Sequence, residues 1–407
     1  MEGIDLKSIL LIILFSTIAK AQKIKNYDGK ILIDSLKTLN ADFKIDYSNS
    51  AEKEFYFYLN KNAKIENLKI NKAFIHYKTE NGTDFMPDFK KIIIKNIFSK
   101  NFNLEIKYSY PLDKIENETF LYNPNWIELS FYTGWFPINF EDRNYSYKLD
   151  FETPEKYQII SSGSISKTKN KTTIINDENY KDILVILSDK FQIFSAKNGT
   201  IRFYGTGLSK EQIKDIQNTS EDIYNFYEEI FGKSDSKNLM VAVNPFAHPM
   251  SYARKGFISL SLKNGFANGD KKTLAHEIGH LWWKNASFGT YEEWLNESFA
   301  EFSALKWMQK KLSPTEFEAF LKKYELAYQK PIKITQLNPN DDGWFPIVYF
   351  KYPYILYKLE QKIGQEKMFR FLKTAYERRI SHTEDLIKLL RNYTDESTID
   401  GFEKEIF

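Results

Sequence analysis

The sequence contains no cysteine, and this absence excludes several kinds of chemistry. A chain without thiols cannot form disulfides, use a cysteine nucleophile or build a cysteine-ligated metal site. Histidine is also scarce, so any imidazole chemistry must come from a small set of side chains. The five histidines in 407 residues are His76, His248, His276, His280 and His382.

The sequence also lacks a strong excess of either charge. Its 57 basic and 54 acidic residues leave a formal net charge of +3, and the lysines are spread along the chain. We therefore expect no nucleic-acid partner and no attraction to an anionic membrane surface. With 42% apolar and 27% charged residues, the composition is typical of a folded protein with a sizeable core.

Long apolar runs are absent except near the N-terminus. Lys7 precedes the apolar run of residues 9–19, and Ala19-Lys20-Ala21 has the A-x-A form of a cleavage site. This pattern predicts a secretory signal peptide over residues 1–21, with an uncleaved membrane anchor as the alternative and no later membrane span. Export without disulfides suits a periplasmic or secreted protein of a bacterial envelope.

The rest of the chain divides by its hydrophobic periodicity. Residues 22–198 consist of short Ile-, Phe- and Tyr-rich segments separated by turns, which predicts a β-rich N-terminal domain built as an antiparallel sandwich or saddle-like sheet. Residues 199–407 combine two short strands with capped amphipathic helices, which predicts a mainly helical domain with a small sheet. The predicted fold class is therefore α+β with two domains.

The greatest concentration of reactive side chains lies between residues 273 and 302. His276, Glu277 and His280 form H-E-x-x-H, and on a helix both imidazoles lie on the same face. Two imidazoles and a carboxylate can hold Zn²⁺ and leave one position for water. Glu277 is rotated by about 100° from His276 around the helix, so it can act on that water as a general base. The alternative is a chance match on a surface helix.

The third metal ligand must be an acid further along the chain. Glu297 and Glu301 lie four residues apart on one helix face, and the pair Thr290 and Glu293 predicts a capping box at the start of that helix. If Glu297 is the ligand, Glu301 is either a hydrogen-bond acceptor for a zinc histidine or a solvated acid. The residues alone leave these alternatives open.

The sequence H-E-I-G-H-L-W-W, followed by W-L-N-E-S-F-A, resembles the gluzincin aminopeptidases of the aminopeptidase N family. Their pattern is H-E-x-x-H followed by a glutamate within W-L-N-E-G-F-A. The resemblance implies a thermolysin-like catalytic domain over residues 199–407 with one zinc ion per chain. It also implies His276, His280 and Glu297 as zinc ligands and Glu277 as the general base.

The resemblance extends downstream of these motifs. The segment Val348-Tyr349-Phe350-Lys351 is similar to the family's V-Y-x-K-G, which implies that Tyr349 stabilises the tetrahedral intermediate. The resemblance covers most of the mature chain and is strongest between residues 250 and 380. The family's large helical C-terminal domain has no counterpart in the sequence, so we expect a more open cleft.

The sequence departs from the family at the substrate end. Sixteen residues separate His280 from Glu297, which is a shorter spacer than the family's. The family's G-x-M-E-N motif, whose glutamate binds the substrate's amino group, is matched by Met250 but has Ser251 in place of the glutamate. This removes the negative charge that would hold an ammonium group. His248, beside this motif, is either a substrate contact or a structural histidine.

We therefore expect an exported zinc peptidase that acts on a peptide or protein substrate. It should resemble an aminopeptidase but recognise the substrate's N-terminal amine differently, and both exo- and endopeptidase action stay open. The alternative is a non-catalytic binding or scaffold protein that has kept the fold. A hydrolase of a non-peptide amide or an epoxide would share the same zinc residues.

Overall fold

The computed structural model of the protein falls into two compact units. The first contains the chain up to Glu116 together with Glu128–Ile186, and the second contains Asn117–Ile127 together with Leu187–Phe407. The segment predicted as a signal peptide lies outside the described residues. The structure describes residues 23–407 except for residues 35–36, 49–53, 83–87, 96, 98, 100, 115, 118–119, 122, 140–144, 170, 181, 197–198, 200, 236–237, 245–250, 255, 263–264, 288, 338, 340 and 342.

The chain before residue 190 is built mainly from strands. The first two long strands alternate buried and exposed residues along most of their length, so one face packs on a core. The strands are β1 (Lys23–Asp34), β2 (Thr38–Ser48), β3 (Glu54–Asn60), β4 (Lys64–Ile70), β5 (Ala73–Phe74), β6 (Lys78–Asn81), β7 (Phe89–Lys95), β8 (Asn101–Pro111), β9 (Glu116–Asn117), β10 (Phe120–Leu121), β11 (Ile127–Leu129), β12 (Tyr145–Glu152), β13 (Gln158–Ser161), β14 (Ser164–Lys167), β15 (Thr172–Tyr180) and β16 (Val185–Ser188).

An eight-stranded sheet dominates the first unit. Its order is β14-β15-β12-β1-β2-β8-β4-β5, and all neighbours are antiparallel except β1 and β12. The core of this unit is aromatic, and several of its buried polar ring atoms are hydrogen-bonded. Tyr27 donates to the carbonyl of Pro137 at 2.6 Å, and Trp135 Nε1 donates to the carbonyl of Ile183 at 3.1 Å.

The second unit combines a five-stranded sheet with helices. The sheet order is β17-β18-β19-β21-β20; β18, β19 and β21 are parallel, and the two outer strands pair antiparallel. The strands are β17 (Gln192–Ser195), β18 (Ile201–Gly205), β19 (Leu239–Asn244), β20 (Tyr252–Arg254) and β21 (Phe257–Ser261), and the longer helices are α1 (Lys210–Phe231), α2 (Asn268–Gly279), α3 (Trp294–Lys311), α4 (Pro314–Tyr328), α5 (Tyr352–Ile363), α6 (Gln365–Glu377), α7 (Thr383–Leu390) and α8 (Glu396–Ile406).

Local sequence signals explain where several helices begin and end. A capping box of Ser209 and Gln212 opens α1, which stops at Gly232 with a positive φ of 84°. Ser313 caps α4 in the same way. The predicted box at Thr290 is wrong: the Thr290 hydroxyl makes no cap and donates to the carbonyl of Ser287 at 3.0 Å, while the Glu293 carboxylate accepts a hydrogen bond from Gly289 N at 2.8 Å.

The α+β architecture confirms the predicted fold class of a β-rich region followed by a mainly helical region with a small sheet. The boundary between the compact units lies between Ile186 and Leu187, whereas the hydrophobic periodicity predicts the domain boundary near residue 198. The difference arises because β17 is a strand in sequence pattern but belongs to the sheet of the second unit. No helix in the described chain combines the length and apolar character that a bilayer crossing requires.

Candidate metal centre

Helices α2 and α3 bring the predicted metal ligands together. His276 lies in the last turn of α2, His280 follows its end, and Glu297 lies in the first turn of α3. The two helices approach closely at Gly279, where an added Cβ would lie 3.1 Å from Ala300 Cα. A side chain at Gly279 would push the helices apart, so this glycine helps to place the carboxylate beside the imidazoles.

The three side chains point their ligand atoms at one spot. The Nε2 atoms of His276 and His280 are 3.2 Å apart, and Glu297 Oε2 lies 3.3 Å and 3.4 Å from them. Tetrahedral zinc with bonds of about 2.05 Å places its ligand atoms about 3.3 Å from one another. The donor set and its spacing therefore fit three of the four positions of a tetrahedral metal ion.

Hydrogen bonds at the other ring nitrogens orient both imidazoles. His276 Nδ1 lies 2.9 Å from Glu301 Oε2, and His280 Nδ1 lies 3.0 Å from the carbonyl of Trp283. Carboxylate and carbonyl oxygens are acceptors, so Nδ1 carries the proton of each neutral ring and Nε2 presents its lone pair. Two facing lone pairs at 3.2 Å repel each other, and a shared cation removes that repulsion.

The electrostatics of this cluster also favour a cation. Burial alone would lower the pKa of His276, but its hydrogen bonds to Glu297 and Glu301 raise the pKa to about 10. Burial alone would raise the pKa of Glu297, but the charges of His280 and His276 hold it well below its usual value. The carboxylates thus create a negative potential at the imidazoles, which favours a positive charge there, either a proton on a ring nitrogen or a metal ion in its place.

Glu301 lies directly behind the candidate metal ligands. It has no exposed surface, which is incompatible with a solvated acid. It accepts hydrogen bonds from Lys272 Nζ at 2.5 Å and Tyr324 Oη at 2.6 Å, besides its contact with His276. Although burial opposes ionisation, Lys272 and His276 lower the pKa of Glu301 to about 2, so the carboxylate is charged.

The sequence interpretation missed Lys272 and Tyr324. Lys272 lies four residues before His276, so helical periodicity could have placed both on one face of α2. Tyr324 comes from α4 and is one of 26 tyrosines, and no local signal distinguishes it.

Glu277 lies at the same centre and is almost entirely buried. Burial raises the pKa of its carboxyl group, while the charges of His276 and His280 oppose that rise and the charge of Glu297 adds to it. The structure therefore places this carboxyl group within the field of all three candidate ligands.

Tyr349 reaches the centre from a distorted helical segment. A helical turn at Trp344–Pro346 continues as a π-helix over Ile347–Lys351, a form often found at functional sites. The Tyr349 hydroxyl donates to Glu297 Oε2 at 2.7 Å, and its ring stacks on His276 with centroids 5.5 Å apart. Burial first, and Glu297 second, raise the pKa of Tyr349 well above its usual value, so the phenol keeps its proton.

The substrate end of the predicted site is only partly described. His248 and Met250 lie outside the described residues. Ser251 Oγ accepts a hydrogen bond from the backbone N–H of Ser261 at 3.0 Å, so the hydroxyl supports the edge of the sheet. Arg254, at the end of β20, was not predicted; its charge opposes the rise in the pKa of Glu277 that burial causes.

No model of a known protein family matches the sequence, and a search of curated proteins found no match. Solved structures do match. The M1 zinc metallopeptidase from Deinococcus radiodurans has a TM-score of 0.66 and 14% identity, covering 95% of this chain and 94% of that chain. Native yeast LTA4 hydrolase has a TM-score of 0.70 and 15% identity, covering 95% of this chain and 68% of that chain.

A variant of the Deinococcus radiodurans enzyme, bound to a Tyr-Ser-Ala substrate, matches with a TM-score of 0.65 and 13% identity over 95% of this chain and 94% of that chain. These matches confirm the fold that the resemblance in the H-E-x-x-H and W-L-N-E-S segments implied. The chain has the two-domain fold of the M1 zinc metallopeptidases.

Proposed function

We propose that this chain is a zinc-dependent peptidase of the M1 type. The observation that carries the proposal is the triangle of His276 Nε2, His280 Nε2 and Glu297 Oε2, whose edges of 3.2–3.4 Å match tetrahedral zinc. A buried glutamate and a protonated tyrosine stand beside this triangle, and the fold is that of zinc metallopeptidases. Zinc held there would polarise a peptide carbonyl and make water acidic enough to react near neutral pH.

The other residues have distinct roles in this proposal. Glu277 would accept a proton from the attacking water and return it to the leaving amine. Tyr349 would donate a hydrogen bond from its phenolic hydroxyl to the oxyanion that forms when the carbonyl carbon becomes tetrahedral. Glu301 would hold His276 in the tautomer that leaves Nε2 free, with Lys272 balancing the carboxylate charge.

The variant Glu277→Gln tests the chemistry. It removes the base but keeps a side chain of the same size, so we expect bound zinc to stay at one per chain. Hydrolysis of peptides should fall at least about 100-fold. Equal activity of wild type and variant on every peptide tested, with zinc bound to both, would favour a binding or scaffold protein over an enzyme.

We propose peptides as substrates, acted on with altered recognition of the amino terminus. The related Deinococcus enzyme was solved with Tyr-Ser-Ala, and this chain has Ser251 where the family motif carries a glutamate. The Ser251 hydroxyl is uncharged and already accepts a hydrogen bond from Ser261 N, so it offers an ammonium group no negative charge. Matched peptides with free and acetylated N-termini test this: a preference for the free amine supports an aminopeptidase, and equal cleavage excludes one.

We also propose export to the periplasm or the medium, supported by the signal-peptide pattern of residues 1–21. Sequencing the N-terminus of protein recovered from a bacterial host tests the proposal. A mature chain beginning at Gln22 supports cleavage, whereas a chain beginning at Met1 in the membrane fraction supports an anchor.

A further inference from the structure

Two consecutive residues of helix α3 bind two consecutive residues of the π-helix. Glu297 Oε2 accepts the hydrogen bond from the Tyr349 hydroxyl at 2.7 Å. The next residue, Ser298, donates its own hydroxyl to the carbonyl of Val348 at 2.6 Å. Both Ser298 and Val348 have no exposed surface, so this contact is shielded from water.

The backbone explains why the Val348 carbonyl needs an outside donor. In the π-helix, the N–H of Tyr352 binds the carbonyl of Ile347, five residues earlier. The same register would pair the Val348 carbonyl with residue 353, which is a proline and has no N–H. A buried carbonyl without a donor is costly, and the Ser298 hydroxyl supplies the missing hydrogen bond.

Ser298 is also unusual for a serine within a helix. Such hydroxyls commonly bind the carbonyl four residues earlier in their own helix, as Ser220 does with Ile216 at 2.7 Å. Ser298 instead joins two elements, immediately beside a candidate zinc ligand. The family pattern W-L-N-E-G has glycine at this position, so the hydroxyl distinguishes this chain from that pattern.

We propose that Ser298 is a positioning residue that holds Tyr349 over the metal centre. This inference rests on the proposed peptidase function, because it assigns Ser298 an effect on catalysis through Tyr349. With the Val348 carbonyl fixed to α3, the next residue presents its phenol at a constant distance from Glu297. Without the hydroxyl, the π-helix can shift, and the phenol loses the alignment that transition-state stabilisation requires.

A double-mutant cycle with Ser298→Ala and Tyr349→Phe tests the inference. On a peptide substrate, Ser298→Ala should lower kcat about tenfold, with KM and bound zinc unchanged. In the Tyr349→Phe background the same substitution should change kcat by less than about twofold, because the group that it positions is gone. The matched control is Ser220→Ala, a buried serine of α1, which should leave kcat within about twofold in both backgrounds.

Two outcomes would overturn the inference: a tenfold loss that persists in Tyr349→Phe, or no loss of kcat in Ser298→Ala. A second cycle measures thermal unfolding of the metal-free protein and does not depend on activity. Ser298→Ala and Tyr349→Phe should be coupled in melting temperature, whereas Ser220→Ala and Tyr349→Phe should be additive. If the wild type cleaves no peptide, the proposed function fails, and the unfolding cycle alone decides whether Ser298 and Tyr349 act together.

Discussion

Glu301 shows how one buried side chain can set the chemistry of a histidine that is a candidate metal ligand. Its carboxylate accepts hydrogen bonds from His276 Nδ1–H, Lys272 Nζ and the Tyr324 hydroxyl. Lys272 supplies the opposite charge that allows the carboxylate to stay ionised without contact with water. The ionised carboxylate in turn increases the electron density of the His276 ring, which makes Nε2 a better ligand.

Glu301→Gln should therefore weaken zinc binding more than its small change in shape suggests. The amide oxygen can still accept from His276, but the charge is lost and Lys272 is left without its counter-ion. We expect zinc affinity to fall about 10- to 100-fold, measured by competition with a chelator of known affinity. The control is Glu366→Gln at an exposed position of α6; equal affinities in the two variants would contradict this role for Glu301.

The residues of the site differ in how far sequence alone could identify them. His276, Glu277 and His280 follow from spacing because four residues make just over one helical turn. The choice of Glu297 over Glu301, and the selection of Tyr349, needed the resemblance to a family. Tyr324 could not be found, because its approach to Glu301 depends on the packing of α4 against α3, and no local pattern encodes that contact.

The π-helix is the element that hydrophobic periodicity did not predict. Periodicity predicts a helix from about Val348 to Ile363, and α5 fills most of that range. The helical path in fact begins at Trp344 and changes register through Ile347–Lys351. Pro353 has no N–H, so an α register would leave the Tyr349 carbonyl without a donor. In the π register the carbonyl left without one is that of Val348, which the Ser298 hydroxyl binds. Proline at the start of a helix is common, so its presence alone did not reveal the distortion.

The π-helix is also held at its end by a buried lysine. Lys351 is 3% exposed, and its Nζ donates to the carbonyls of Lys330 at 2.7 Å and Ile332 at 2.8 Å. Burial lowers the pKa of Lys351. These bonds connect the segment that follows α4 to the segment that carries Tyr349.

Lys351→Met should destabilise the fold, because it keeps the length of the side chain but leaves two carbonyls without their donor. Removing the buried ammonium recovers some desolvation energy, so we expect a net loss of about 2 kcal/mol in the free energy of unfolding. Urea unfolding measures it. Lys358→Met, at an exposed position of α5, should cost less than about 0.5 kcal/mol. Similar losses in the two variants would argue against a stabilising role for the Lys351 hydrogen bonds.

In the molecule as a whole, the fold tolerates far more sequence change than the candidate site does. Solved structures with only 13–15% identity share this fold at TM-scores of 0.64–0.70. Such low identity is compatible with one fold, because cores tolerate many apolar combinations that keep their pattern and volume. Function depends instead on a few groups held at fixed distances, and the candidate groups of this chain all lie in the second unit.

Zinc should therefore stabilise the second unit specifically. A ligand that binds only the folded state adds RT ln(1 + [L]/Kd), which is about 4 kcal/mol at 1,000 times Kd. For a unit of this size, that corresponds to a rise in melting temperature on the order of 10 °C. Calorimetry of the chelator-treated protein, with and without added zinc, measures the shift.

His280→Ala is the control that assigns the shift to the metal centre. It removes one of three ligands, so the melting temperature of this variant should change by less than about 2 °C when zinc is added. The Ser220→Ala variant keeps the ligand set and should show the full rise. If His280→Ala gains as much stability from zinc as the wild type does, the metal binds elsewhere, and the triangle of His276, His280 and Glu297 is not its site.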